Sequence, residues 1–316
     1  MPRIFVLGSL NADLVVAIPR PVQPGETLTG GELTIFPGGK GGNQAVAAAR
    51  LGAEALMVGQ VGRDAFGDFL LDRQRDAGVM TGGIGRCGRA SGVALISVFP
   101  DGENSIVISP GANAAVTPRL VRERLAAIEA GDFLLCQLEI PLDAVEAGLR
   151  LARGRGAVTM LDPAPARPLA PELLSLVDYL TPNQTEAALL LDEPGLETGQ
   201  VEQALAAAAR LRASGARNVV IKLGRLGCCG LVGGDSIAAE GFAVEAVDTT
   251  AAGDTFNAAL AVALSEGQAF GSAALFANAA AAISVTRRGA QSSAPTRSEV
   301  AQFLACMSHH AARRSG

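Results

Sequence analysis

The stretch Pro37-Gly38-Gly39-Lys40-Gly41-Gly42-Asn43-Gln44-Ala45-Val46-Ala47-Ala48-Ala49-Arg50-Leu51-Gly52-Ala53-Glu54-Ala55-Leu56-Met57-Val58-Gly59-Gln60-Val61 sets the rhythm of the chain. A glycine-rich turn leads into an alanine-rich helix over 42–51, and an apolar strand follows over 55–61. Upstream, Ile4–Leu7 reads as a buried strand. Downstream the alternation repeats. Helices are expected over 66–76, 118–129, 142–152 and 201–213, and from about Asp254, Ser272 and Arg297. Strands are expected over 133–139, 158–161, 219–223 and 228–232, with another ending at 179–181. Strands alternating with helices argue for a mostly parallel sheet covered on both faces, a three-layer α/β/α arrangement.

Four further apolar, β-branched segments break that alternation: 13–18, 28–36, 91–99 and 104–108. Pro21, Pro24 and Gly25 punctuate the first pair, and Pro100-Asp101-Gly102 gives a hairpin signal in the second. They predict a small sheet apart from the main one, its strands inserted from about 11–36 and 91–108 into a single domain spanning 1–316.

Composition narrows the function classes. Hydrophobic residues make up 49% of the 316 positions and charged residues 18%, a globular and not a disordered balance. A net charge of −5 argues against a nucleic-acid partner. The five cysteines (Cys87, Cys136, Cys228, Cys229, Cys306) show no CxxC spacing and read as reduced thiols, which suits a cytoplasmic protein. Adjacent Cys228 and Cys229 should face opposite sides of a strand. The apolar N-terminus is too short for a signal peptide, and the run around 273–285 is too short to span a bilayer, so no membrane partner is expected. The end of the chain, with His309 and His310, reads as a frayed tail.

Five segments carry candidate chemistry, each with a plainer explanation beside it. Gly38 to Asn43 lets the backbone approach a ligand at a helix start, with Lys40 adding positive charge; it is not a Walker A loop, and alone it is equally a flexible turn. Gly8-Ser9-Leu10-Asn11-Ala12-Asp13 follows the first strand, where ligands of open α/β sheets bind. Asn11 and Asp13 there suit vicinal hydroxyls, or simply make an Asx turn. Thr181-Pro182-Asn183-Gln184-Thr185-Glu186 opens a helix: Glu186 can face a hydrated Mg²⁺, or Asn183 and Glu186 can form a capping box. Lys222-Leu223-Gly224-Arg225-Leu226-Gly227 joins two strands, offering either cations for phosphate or a solvated hairpin turn. Last, Asp248-Thr249-Thr250-Ala251-Ala252-Gly253-Asp254 sets three small residues before a helix. Their N–H groups can form an anion hole, with Asp254 placed to take a proton; the alternative is an ordinary acidic residue in a first helical turn.

Together, and in this order, the segments resemble the ribokinase (PfkB) family of carbohydrate kinases. The glycine-rich GGKGGN resembles the first family signature and DTTAAGDTF the second. Supporting similarity comes from GSLNAD, PGANAA (110–115), QLEIPL (137–142), DPAPAR (162–167), TPNQTEA and VTRRGAQSS (285–293), so that it extends over about 4–305. The resemblance implies ATP-dependent phosphorylation of D-ribose at O5, with another sugar such as fructose or deoxyribose, or a catalytically silent sugar sensor, as alternatives. It implies that the small sheet is a lid over the sugar and a homodimer contact. It places Asn11, Asp13, Gly39, Lys40, Asn43 and Glu139 on the sugar, Asp254 as base, and Ala251, Ala252 and Gly253 in the anion hole. Asn183 and Glu186 would serve phosphates and Mg²⁺; residues 222–227 (Lys222, Leu223, Gly224, Arg225, Leu226, Gly227) and Asn278 would border the nucleotide, together with Gly253. A K⁺ ion would be held by Asp248, Thr250, Ser284, Arg287, Gly289 and Ser293, several through main-chain carbonyls. Two positions depart from the family pattern: Asp162, where Asn is frequent, and Lys222, where a small hydroxyl residue is common. The lack of Trp, with a single Tyr, speaks against a nucleoside, which needs aromatic stacking.

Overall fold

The computed structural model describes residues 2–314, with side chains through 307. The chain opens with β1 (Ile4–Leu7), whose Ile4 and Val6 face one apolar cluster while Phe5 and Leu7 face the other. That two-sided burial is what a central parallel strand requires. β2 (Asn11–Ala17) and β3 (Leu33–Gly38) then leave the core as an antiparallel pair. The chain returns through α1 (Lys40–Arg50), β4 (Ala55–Val61), α2 (Ala65–Asp76) and β5 (Met80–Arg86). It leaves again as β6 (Gly92–Val98) and β7 (Asn104–Ser109). The remainder alternates: α3 (Pro118–Arg124), β8 (Phe133–Cys136), α4 (Leu142–Gly154), β9 (Val158–Leu161), α5 (Pro171–Leu174), β10 (Tyr179–Leu180), α6 (Gln184–Leu190) and α7 (Val201–Ala213). A hairpin of β11 (Asn218–Lys222) and β12 (Gly227–Val232) extends into β13 (Asp235–Glu240), and α8 (Ala252–Ser265), α9 (Phe270–Ser284) and α10 (Arg297–Arg314) close the fold.

The main sheet has nine strands in the order β13-β12-β11-β10-β9-β8-β1-β4-β5. It is parallel from β11 to β5, and β12 runs antiparallel to both its neighbours. Helices α1, α8 and α9 contribute to the cluster on one face, and α4 and α7 to the cluster on the other. Cys228 belongs to the first and Cys229 to the second, the opposite placement that their adjacency predicts. The second sheet is β3-β2-β6-β7, separate from the first, as expected.

Several expected elements end elsewhere. The helix expected over 118–129 stops at Arg124, and the following turns bury Leu125 and Ile128 fully. The strand expected over 133–139 ends at Cys136 because Gln137 and Glu139 turn away to bond Gln44, Ser9 and the start of α1. The strand expected from residue 28 starts at Leu33. The expected tail continues α10 in its backbone, while the His309 and His310 side chains lie outside the described residues. Among the described residues no helix is long and apolar enough to cross a membrane.

Candidate active site

The parallel strands β1, β9, β10 and β11 all end on one edge of the sheet, and the loops leaving them converge there. A cavity of about 430 Å³ opens at that edge. Lys40, Asp162, Glu186, Lys222, Gly253 and Asp254 line it, drawn from five separate parts of the chain. This is the crevice beyond the carboxyl ends of strands where open α/β sheets bind ligands.

The glycine-rich turn packs directly on the segment after β1. Gly39 has φ 84°, and a side chain there would meet the Asn11 nitrogen at 2.7 Å and the Leu10 Cα at 2.9 Å. Gly42 N–H in turn donates to the Ser9 carbonyl at 2.9 Å. The backbone contact fixes α1 against β1, so that the first turn of α1 projects its side chains into the cavity region. Glu139 sits at the head of that helix: one oxygen accepts from the Lys40 N–H at 3.0 Å and from the Ser9 hydroxyl. Its negative charge at a helix N-terminus is favourable.

Asp254 lies in the first turn of α8, 4% exposed. Asn43 Nδ2 donates to its Oδ2 at 2.9 Å, and Gln44 Nε2 to its Oδ1 at 3.1 Å. Burial pushes its carboxyl up to about 6; Lys40 and the two amide donors pull against this, and Asp162 adds to it. Burial alone would lower the Lys40 ammonium, but the carboxylates of Asp254, Asp162, Glu139 and Glu186 outweigh it and hold the group charged. Asp13 is pushed up to about 7, first by burial and then by Glu139 and Asp254. Asn43 Oδ1 is buried with no hydrogen-bond partner, an acceptor of the kind a bound hydroxyl satisfies. Asn11 Oδ1 is already engaged by Asn113 Nδ2 at 2.7 Å.

The start of α8 is built to meet an anion. Ala251 takes the left-handed conformation at φ 58°, and no side chain caps the helix. The Ala252 N–H makes a long bond of 3.3 Å to the Thr249 carbonyl, and Ala251, Ala252 and Gly253 line the cavity at the helix start. Lys222 lies over this spot, its Nζ 3.4 Å from where a Gly253 Cβ would stand. Asn183 and Glu186 form the capping box of α6: Asn183 N–H donates to Glu186 Oε2 at 2.7 Å and Glu186 N–H to Asn183 Oδ1 at 2.8 Å. The capping role does not remove Glu186 from the cavity wall. Burial raises its carboxyl, with Lys222 working in the opposite sense.

The remaining candidate residues are distributed differently. Gly224 lines the cavity; Leu223 is buried, and Leu226 is exposed on the β11–β12 connection with Arg225, whose carbonyl a Gly241 side chain would meet. Gly227 begins β12 at φ 93°. Asn278 spends its amide nitrogen on the Ala239 and Glu240 carbonyls, both at 3.0 Å, tying α9 to β13. Asp248 bridges two loops, accepting from Thr250 N–H and Gly289 N–H, each at 2.9 Å. Against the effect of burial, those bonds hold its carboxyl below the usual range. The Val285 carbonyl accepts from both Val247 and Asp248 N–H, which brings 247–250 beside 284–293. Ser284 and Ser293 are fully buried with hydroxyls turned to the Ala281 and Ala290 carbonyls, and Arg287 pairs with Glu299 at 2.6 Å.

Sequence reasoning passed over Ser9, Gln44, Asn113 and Gln137 as site residues. Gln44 carries the most weight, since its amide touches two carboxylates at once. The signal that was available is its place next to Asn43 in the first turn of a helix already tied to the site.

The model for pfkB family carbohydrate kinases matches residues 1–297. The ribokinase of Haemophilus influenzae is 46% identical over 302 residues, covering 95% of this chain and 98% of that protein. The solved ribokinase of Thermotoga maritima superposes with a TM-score of 0.86 at 39% identity, covering 96% of this chain and 99% of that one. Arabidopsis thaliana ribokinase, solved with ribose and ATP, also superposes at 0.86, with 34% identity over 96% of this chain and 98% of that one.

Proposed function

The chain belongs to the pfkB family of carbohydrate kinases, and we propose that within it this enzyme uses ATP to phosphorylate D-ribose at O5, giving D-ribose 5-phosphate. One observation carries the reading: the buried Asp254 carboxylate and the uncapped start of α8 open on the same cavity as Lys40, Glu186 and Lys222. An acceptor for a hydroxyl proton and an anion hole for a phosphoryl group then stand a few atoms apart, the two features that transfer to an alcohol requires.

In this reading ribose lies between the small sheet and α1, with its hydroxyls on Asn11, Asp13, Gly39, Lys40, Asn43 and Glu139. Asp254, ionised at neutral pH, accepts the proton of the 5-hydroxyl as that oxygen attacks the γ-phosphorus. The O5–P bond forms, the bond from phosphorus to the bridging β–γ oxygen breaks, and ADP leaves. Asn43 and Gln44 keep the carboxylate turned toward the hydroxyl. The N–H groups of Ala251, Ala252 and Gly253 face the phosphoryl oxygens, and Lys222 with the 223–227 connection and Asn278 borders the nucleotide.

Mg²⁺ would neutralise phosphate charge, and it needs only one or two protein carboxylates when phosphates supply the rest. Glu186, beside Asn183 on the cavity wall, fits that requirement. For K⁺, Asp248 with oxygens of Thr250, Ser284, Arg287, Gly289 and Ser293, several of them main-chain carbonyls, would supply an all-oxygen set, and support comes from Asp248 tying the Thr250 segment to Gly289. The small sheet carries an apolar face on which Leu33, Ile35, Leu95 and Val107 stand exposed, and we assign that face to a homodimer contact.

A coupled assay across a sugar panel, with Mg²⁺ and K⁺ present, tests the substrate. Ribose is expected to be the preferred acceptor. Turnover of fructose or deoxyribose with none of ribose would replace the ribose assignment and leave the kinase reading in place.

A further inference from the structure

Asp162 and Lys222, the two departures from the family pattern, touch each other. Lys222 Nζ donates to Asp162 Oδ1 at 2.9 Å, and the two side chains are 12% and 2% exposed. Asp162 directly follows β9 and Lys222 ends β11, strands that flank β10 in the sheet. The second Asp162 oxygen accepts from Gln44 Nε2 at 3.1 Å, and the same nitrogen donates to Asp254 Oδ1 at 3.1 Å. Gln44 Oε1 in turn accepts from Gln137 Nε2 at 2.6 Å. Ionised carboxylates only accept, so the Gln44 nitrogen faces Asp162 and Asp254 and its oxygen faces Gln137. The result is a continuous path from Lys222 through Asp162 and Gln44 to Asp254.

Two buried carboxylates sharing one amide donor repel each other, and an unpaired buried charge is strongly unfavourable. Asp162 raises the Asp254 carboxyl, and Lys222, paired with Asp162, carries the opposite charge beside it. We propose that Asp162 and Lys222 are a charge-matched positioning pair whose opposite charges act jointly on Asp254, across the cavity and through Gln44, and so set the conditions under which it accepts a proton. The pair touches the base only through Gln44, so its members act by positioning and field.

Other charged groups also face this site. Lys40 from α1 and Asp13 from β2 act on Asp254 directly. Glu139 acts on Lys40 and Asp13, and Glu186 from α6 on Lys40, with Lys222 and Asp162 acting on Glu186. None of these side chains is replaced in the variants below, and the double variant removes together the Lys222 and Asp162 charges that act on Glu186, so the comparison of single with double variants isolates the pair.

The inference rests on Asp254 being the base. Its test is the pH dependence of kcat/KM for the sugar at saturating nucleotide, in Asp162→Asn, Lys222→Met and the double variant. Lys222→Met leaves Asp162 uncompensated and is expected to move the acid limb up by about one pH unit; Asp162→Asn is expected to move it down by a similar amount. The double variant should return it to within about 0.3 unit of the wild type, since a one-unit effect of each sign then cancels. Single variants whose acid limbs coincide with the wild type, or shift in the same direction, overturn the proposal. Should a single variant fail to fold, Gln44→Met decides: removing the shared donor should raise the limb, and an unmoved limb overturns the path through Gln44. Asp254→Asn is measured alongside. If it keeps full turnover, the base assignment has failed and not the pairing alone.

Discussion

At the residue scale the site turns on one buried carboxylate held by two amides. Asn43 and Gln44 each donate to a different oxygen of Asp254, so the group is fixed in rotation as well as position. Its pKa, pushed up to about 6 by burial, puts a titration within the working range of an enzyme. As a proton acceptor Asp254 must be ionised. The expected profile of kcat/KM therefore falls as the pH drops through about 6, with Asp13 of the proposed sugar site, pushed up to about 7, titrating on the same acid limb. Activity that stays flat down to about pH 4.5, toward the range of an unperturbed aspartate, would contradict the assignment. Asp254, Gly253 and Lys40 were legible in the sequence because small residues and glycines at a helix start leave a recognisable run. Gln44, Gln137 and Ser9 were not, because single amides and hydroxyls acquire their partners only through contacts more than 90 residues away in sequence.

Among the elements, the deciding one is α8. Its residues from Asp254 to Ala263 are buried, so the helix is fixed in place by its packing and not by capping. The left-handed Ala251 at its head is the kind of local strain that a rigid surround maintains at functional sites. The loop before it is tied to 284–293 through Asp248, and the proposed K⁺ would stiffen that junction. Turnover is accordingly expected to rise severalfold in KCl over NaCl at equal ionic strength; equal rates in the two salts would remove the cation from the account. Elements that alternate cleanly, such as β1, β4, β9 and α7, could be read directly. β5 escaped notice because Gly82, Gly83 and Gly85 erase its apolar pattern, and β13 because its sequence Asp235-Ser236-Ile237-Ala238-Ala239-Glu240 holds one large apolar residue. The shortened β8 is a tertiary effect: Gln137 and Glu139 are drawn out of the sheet by the site itself.

On the scale of the whole molecule, the nine-stranded sheet supplies the edge on which the site is assembled, and the four-stranded sheet stands apart from it with an exposed apolar face. Val107, 62% exposed on the edge strand β7, stands beside Leu95 on that face. Replacing it by Glu is expected to convert a dimer to a monomer in light scattering coupled to size exclusion, while a wild-type protein that already runs as a monomer would refute the contact. The separateness of the two sheets was visible in the sequence from the paired β segments and their turns; which face of the small sheet lies open was not. The central claim is chemical, and it is tested most directly by the turnover number of Asp254→Asn on ribose, with ribose affinity measured in parallel. The account predicts near-normal binding and a kcat lower by about 10²–10⁴-fold, the usual consequence of losing a general base. An unchanged kcat would contradict it.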